Sequence, residues 1–394
     1  MKKLILILSV LLSFSSGLFA FDFFEDRFFE VQYGADVSIS NNSILIGDVL
    51  KKDLVIDLRK LADNVPDSGF NLSANLLPFV HAKFGFGVFS LAFNGGVQAY
   101  TSLTIGDDIF DFLGYGNSVG QTISTDVAAN VDVFAFLDVD VGIKFKKFHI
   151  NVAPAMFVPV LSTSGSAGNV TVVNDSSGNI TMRYDMNVNV YSPFNIQTRQ
   201  IETQELLKSA GYDVAAELCI PFGNKLNVTA NARIPILPGK AKYLTNATSS
   251  FLFQGNLSNQ TFSNSNTEMQ YSTSEVSAYT VHRPLKVGVY LDYLPLGRFL
   301  DLGLGGGMGI SRPFSDSAKF YPEYFLGLTM NVIRVFTFKL TTEYTDQVFI
   351  HQFGMDINLR FIELDAGISA QSPDFLKSFT GAGFGGYVYV TLGF

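Results

Sequence analysis

The chain has 394 residues, 47% of them hydrophobic, and its 35 acidic against 27 basic side chains give a formal charge of −8. That balance offers no basic patch for nucleic acid, and a single cysteine, Cys219, excludes both an intrachain disulfide and a lipid anchored at a cysteine after cleavage. His81, His149, His282 and His351 are scattered without metal-ligand spacing, and no nucleophile elbow occurs, so neither an enzyme nor a cofactor is expected.

The first 20 residues read as a secretory signal: Lys2 and Lys3, then the apolar run Leu4 to Leu12, then small residues from Ser15 to Ala20. The run stops short of the roughly 20 apolar residues a spanning helix needs. Residues 21–394 follow as one unit, because no Pro-rich or charged linker divides them.

Hydropathy then alternates with a period of two. In Phe29 to Ser40, Phe29, Val31, Tyr33, Ala35, Val37 and Ile39 point one way and Glu30, Gln32, Asp36, Ser38 and Ser40 the other, so one face suits lipid and the other water. Further strands are expected at 69–83, 88–103, 127–145, 148–161, 212–220, 226–237, 282–294, 299–310, 324–332, 335–345, 347–359, 361–370 and 380–394. Short basic turns recur at Lys83, Lys144 to Lys147, Lys225, Arg298, Arg334 and Arg360, whereas 43–68, 163–210 and 243–278 read as long polar loops.

The pattern predicts an all-β chain: a closed antiparallel transmembrane β-barrel of about 14 strands, or 16 as a fallback, with both termini and the basic turns on the periplasmic side. Asn169 to Val190 is expected as a hairpin turning near Asp175 to Gly178 above the barrel. The chain ends in Phe394 on the alternating run from Tyr387, which looks like the terminal signal that the barrel-assembly machinery recognises.

Four features bear on the lumen. Gly95 and Gly96 interrupt the third strand and mark a candidate lateral gate. Asp132, Phe134, Phe136, Asp138, Asp140 and Lys144 fall on the polar face of the fourth strand and are candidate lumen-lining residues. Leu54, Leu58 and Leu61 at helical spacing, with Phe110 and Phe112, are candidate elements of a partial plug, since bland external loops would expose too much apolar surface. The glycines from Gly303 to Gly309 lack dinucleotide-binding spacing and suggest close approach of another element, a tucked-in loop, to the wall.

Exported, with about 14 strands and an aromatic last residue, the chain resembles FadL and PorV-like outer-membrane barrels. The stretch Ile109 to Asn117 is also similar to one in an uncharacterised family of exported bacterial barrels. The resemblance implies an outer-membrane location in a diderm bacterium and uptake of hydrophobic or weakly polar small molecules past a plugged lumen, with sideways exit at a kinked third strand. Only about eight residues separate Ala20 from Phe29, too few for the N-terminal hatch of FadL transporters. Membrane lipid, the assembly machinery and a hydrophobic ligand are the expected partners. The alternatives are a general diffusion porin and a surface-exposed accessory or adhesin barrel.

Overall fold

The computed structural model describes residues 27–394 except 46–56, 117, 146, 164, 199–200, 257–260, 317, 334 and 381. The signal expected at 1–20 lies outside the described residues. Among those described, 19 strands join one sheet, and no helix is long and apolar enough to cross a membrane.

The lower ring starts with β1 (Phe29–Asn41), β2 (Phe70–Phe86), β3 (Phe89–Ile105), β4 (Thr122–Lys144) and β5 (His149–Thr163), paired in that order. β5 then pairs with β8 (Gly211–Phe222), β8 with β9 (Leu226–Leu237), and β9 with β13 (Leu285–Tyr293). From there β14 (Leu300–Ser311), β15 (Lys319–Ile333), β16 (Phe336–Thr345), β17 (Val348–Asn358), β18 (Ile362–Ser372) and β19 (Gly383–Gly393) pair in sequence. β19 meets β1 from Glu30↔Gly393 to Ser40↔Gly383, and the sheet closes. Backbone bonds between Phe29 and Phe394, 3.0 and 3.1 Å, complete this seam at its lower end.

The remaining strands carry the wall upward on one side. β6 (Gly165–Asn174) prolongs β5 and extends its pairing with β4, while β7 (Asn179–Ser192) descends toward β8. β10 (Gly239–Asn256) prolongs β9, and β11 (Thr261–Asn266) and β12 (Gln270–Val281) descend into β13. With the short β5–β7 contact, Ser162↔Tyr191 and Thr163↔Val190, the closed barrel counts 16 hydrogen-bonded strands, and β10 to β12 stand outside it. Of the 16, 14 form the lower ring, and β6 and β7 stand above it on β5 and β8.

The expected hairpin is β6–β7, its turn fixed by the Asp175 carboxylate, which accepts from the Ser177 and Asn179 amides at 2.8 and 3.0 Å. It does not stand alone: β7 pairs along its whole length with β10, from Tyr243↔Ser192 to Asn256↔Asn179. Most of the stretch expected as a polar loop from 243 to 278 is therefore strand. The Ser, Thr and Asn residues of β10 to β12 leave no apolar alternation to read there, whereas Val170 and Val172 of β6 are buried.

Within the lower ring, alternation and exposure agree. Tyr33, Val37 and Ile39 of β1 are exposed on the outer face, as are Val80, Leu137, Val141 and Leu340. Glu30 and Gln32 of β1 face inward, where Gln32 donates to the Thr391 hydroxyl at 3.0 Å and Glu30 lies within 4 Å of Arg27, His81 and Lys83.

Candidate functional site

The lumen is narrowed by side chains of the wall itself. Asp138 on β4 and Asp213 on β8 converge on Arg283, in the three-residue link between β12 and β13. Arg283 Nη1 lies 3.2 Å from Asp213 Oδ2 and 3.7 Å from Asp138 Oδ1, and its guanidinium sits 4.9 Å from the centre of the Phe136 ring. Beside this knot, Phe134 and Phe157 meet edge to face at 5.7 Å and form a buried core with Val281, against which Tyr100 and Tyr279 pack. A register shift between Val133 and Phe134 accompanies the close packing there.

Exposure at this level is decisive. Arg283 is 2% exposed, Asp213 1%, Phe134 2% and Phe157 0%. Side chains lining a water-filled channel stay wet, whereas these cover one another. A buried ion pair is costly to form, and it holds only with good geometry and further hydrogen bonds.

A second bridge crosses the mouth. From the β14–β15 connection, Arg312 reaches the opposite wall, donating from Nε to Asp132 Oδ2 at 3.0 Å and from Nη2 to the Thr163 carbonyl at 3.1 Å. Ser162 Oγ donates to the same Asp132 carboxylate at 2.6 Å. Arg312 and Phe314 both take positive φ, 46° and 65°, which turns the strap inward; Phe314 then meets His282 edge to face at 5.2 Å.

Further ion pairs lie elsewhere in the interior. Lys286 holds Glu323 at 2.8 Å and Asp346 at 3.0 Å, and the Tyr321 hydroxyl donates to Asp346 at 2.8 Å. Lys339 pairs with Asp365 at 2.7 Å, and Tyr387 donates to the same carboxylate at 2.8 Å. A cavity of about 160 Å³ opens among Asp36, Gln98, Tyr100, Glu343 and Gln352. At the end of the barrel where β1 begins, Arg27 grips Glu363 at 2.7 Å.

The residues singled out from the sequence divide among these places. Asp132 belongs to the mouth bridge, Phe134, Phe136 and Asp138 to the knot, and Asp140 accepts from Asn94 at 3.0 Å; Lys144 lies exposed at the C-terminal end of β4. Gly95 and Gly96 keep unbroken pairing with β4, opposite Leu137 and Phe136. On the other edge of β3, the pairing with β2 skips Leu77 and Pro78 between Leu76↔Ala99 and Phe79↔Gly96. Proline has no amide hydrogen to give to a ladder, which accounts for the gap.

The segments expected to enter the lumen lie elsewhere. Leu54 is outside the described residues. α1 (Leu58–Asn64) is capped by the Asp57 carboxylate, which accepts from the Arg59 and Lys60 amides; Leu58 is exposed and Leu61 half-buried. α2 (Asp108–Tyr115) packs on α1, where the Tyr115 hydroxyl donates to Asp63, a bond that raises the phenol above its ordinary value. Ile109, Phe110 and Phe112 of α2 cluster with Leu103, Ile105, Val127 and Val172, and Phe110 meets Phe70 at 5.6 Å. By strand parity these partners share the face of Leu137 and Val141, so α2 covers the outer side of the wall instead of plugging the lumen. Nor does a loop fill the space over the glycine run. Aromatic rings do: a Cβ on Gly303 would lie 2.8 Å from the Phe325 ring, and those on Gly305 and Gly309 would meet Tyr290 and Tyr321.

Arg283 and Arg312 were not legible as site residues. Both stand next to a proline just outside an alternating run, and that offset was the one signal available.

These features define a transmembrane β-barrel whose interior carries clustered charged and aromatic side chains. In fold it resembles the toluene transporter TodX of P. putida, with a TM-score of 0.50 at 7% identity over 94% of this chain and 91% of the other. A TodX mutant described as a monoaromatic hydrocarbon channel gives 0.51 at 7% identity over 94% and 92%, and the Ralstonia pickettii toluene transporter TbuX gives 0.44 at 9% over 94% and 91%. Of these three, the two with a TM-score of 0.50 or above are described as a toluene transporter and a monoaromatic hydrocarbon channel. No family model matches the chain, and no curated protein matches it by sequence.

Proposed function

We propose that this barrel takes up a hydrophobic small molecule through the outer membrane and releases it sideways, and that it is not an open aqueous pore. One observation carries the reading: Arg283, Asp213 and Phe134 are buried against one another on the inner face of the wall, where an aqueous pore would expose its charges. A solute entering at the mouth meets aromatic rings and must turn into the wall. The side opening lies at the β2–β3 seam, where Pro78 interrupts the ladder beside Gly95 and Gly96. A monoaromatic hydrocarbon, the ligand for which the TodX neighbours are described, is the ligand class we assign. Export through residues 1–20 and insertion guided by Phe394 complete the proposal.

Gly95→Val is the informative change, because a Cβ at Gly95 meets nothing closer than 3.7 Å, whereas one at Gly96 would lie 2.5 Å from the Pro78 carbonyl. Vesicles containing the wild-type chain should accumulate a labelled monoaromatic probe faster than empty vesicles. Gly95→Val should fold, judged by its heat-dependent gel mobility, and lose that gain. Equal uptake with and without the protein would remove transport; normal uptake by Gly95→Val would remove the side exit alone.

A further inference from the structure

The lipid-facing wall carries a groove of about 830 Å³ across β13 to β17. Strand register explains its course. Leu291, Leu304, Leu326, Thr342 and His351 stand directly opposite one another on five successive strands and form one bank. The other bank lies two residues along each strand and runs from Tyr293 to Phe353. Between the banks, Gly303 and Gly327 carry no side chain, and the Phe325 ring lies over both on the inner face.

The outer end has a roof. α4 (Phe375–Ser378), in the β18–β19 connection, turns down over β17; α3 (Thr203–Lys208) lies far off in the β7–β8 connection. Lys377 Nζ donates to the Asn42 and Asn64 carbonyls at 2.7 Å each, and Ser378 Oγ lies 2.8 Å from His351 Nε2. With its polar groups so engaged, α4 turns Leu376 outward, and Phe379 stacks on the His351 ring at 3.8 Å over the end of the groove. His351 Nδ1 is 3.1 Å from the Thr342 hydroxyl, so both ring nitrogens are occupied.

Among the described residues, no carboxylate, lysine or arginine lines the groove, and it is continuous with the surface that meets lipid. Its occupant is therefore hydrocarbon. An unfilled groove would forfeit dispersion contacts along its whole length. Neighbouring strands lie about 4.8 Å apart, so four steps across the banks span about 19 Å; one leaflet of hydrocarbon is half of a core about 30 Å thick. A slanting groove of that length fits a single extended chain. We infer that this groove is a specific lipid site that holds one acyl chain of an outer-leaflet lipid beneath Phe379, retained far longer than lipids elsewhere on the wall. The inference rests on the barrel's lipid contact and is independent of the uptake reading.

The test uses the full chain in phosphatidylethanolamine and phosphatidylglycerol vesicles containing a phosphatidylcholine spin-labelled near the end of its acyl chain. Wild-type protein should show a motionally restricted component beyond that of ordinary boundary lipid. The paired change Leu304→Trp and Leu326→Trp, which fills the groove, should lose it. Val37→Trp, on the exposed outer face of β1, should keep it. Leu340→Phe is the milder substitute if the paired variant fails the heat-mobility test of folding. A wild-type spectrum without the extra component, or equal spectra from the groove and β1 variants, would overturn the site. So would efficient cross-linking between barrels through Leu326→Cys in a Cys219→Ser background, which would identify a second copy as the occupant.

Discussion

The two sides of the barrel are built to different rules. From β14 to β19 the wall is low: strands of 10 to 15 residues joined at the top by connections such as the tight turn at Asp346 and Gln347. From β4 to β13 the wall is tall: β4 alone has 23 residues, and β10, with 18, stands wholly above the ring that β9 helps to form. On the low side nearly every residue has one neighbour in lipid and one in the lumen. On the tall side the upper half adds strand pairing beyond the ring, and α2 covers part of its outer face through an apolar cluster around Val170 and Val172. The two sides are then tied across the lumen, Arg312 from the low side binding Asp132 on the tall one, and Arg283 at their border binding Asp138 and Asp213.

Cutting those ties should give the largest effects. Arg283→Ala leaves the Asp213 carboxylate buried without its partner, and losses of about 3–5 kcal/mol are typical when one member of a buried pair is removed. Urea unfolding in vesicles should show destabilisation of that order, together with a steady ion current absent from the wild type. Arg312→Ala removes charge-assisted bonds from a less buried strap; a cost of about 1.5–3 kcal/mol is expected, with partial opening of the mouth. An unchanged unfolding midpoint for Arg283→Ala would mean that the two sides stand independently.

Smaller changes sharpen the contrast. On the low side Gly327→Val would push a side chain against the Phe325 ring; overpacking of this kind costs about 1–3 kcal/mol. On the tall wall Ser272→Ala alters an exposed face, and its effect should stay within about 0.5 kcal/mol. If Ser272→Ala were the more damaging of the two, the account of what holds each side would be inverted.

The same contrast explains what could be read before the fold was known. β1, β9 and β16 match the expected ranges to within a residue, because burial of one face in lipid imposes strict alternation on Tyr33, Val37 and Leu340 and their neighbours. β2 runs on to Phe86, three residues past its expected end, since Gly87 with φ of 65° makes the turn. β10 to β12 were hidden: their Ser, Thr and Asn residues look the same in a solvated strand as in a loop. The lumen was half legible. Phe134, Phe136 and Asp138 stand on the inward face of an alternating run, but Arg283 and Arg312 lie in connections, and the bonds to Asp213 and Asp132 close over 70 and 180 residues. No local pattern reports a contact of that range. Phe110 and Phe112 misled for a related reason: an apolar loop must be buried, yet the outer side of a tall wall buries it as well as the lumen does.

The central claim is that the ties at Arg283 and Arg312 seal the lumen, and planar-bilayer recording of the full chain tests it most directly. The wild-type barrel should insert without a persistent ion current, and the doubly changed Arg283→Ala, Arg312→Ala barrel should conduct steadily. A large, stable current through the wild-type protein would contradict the account.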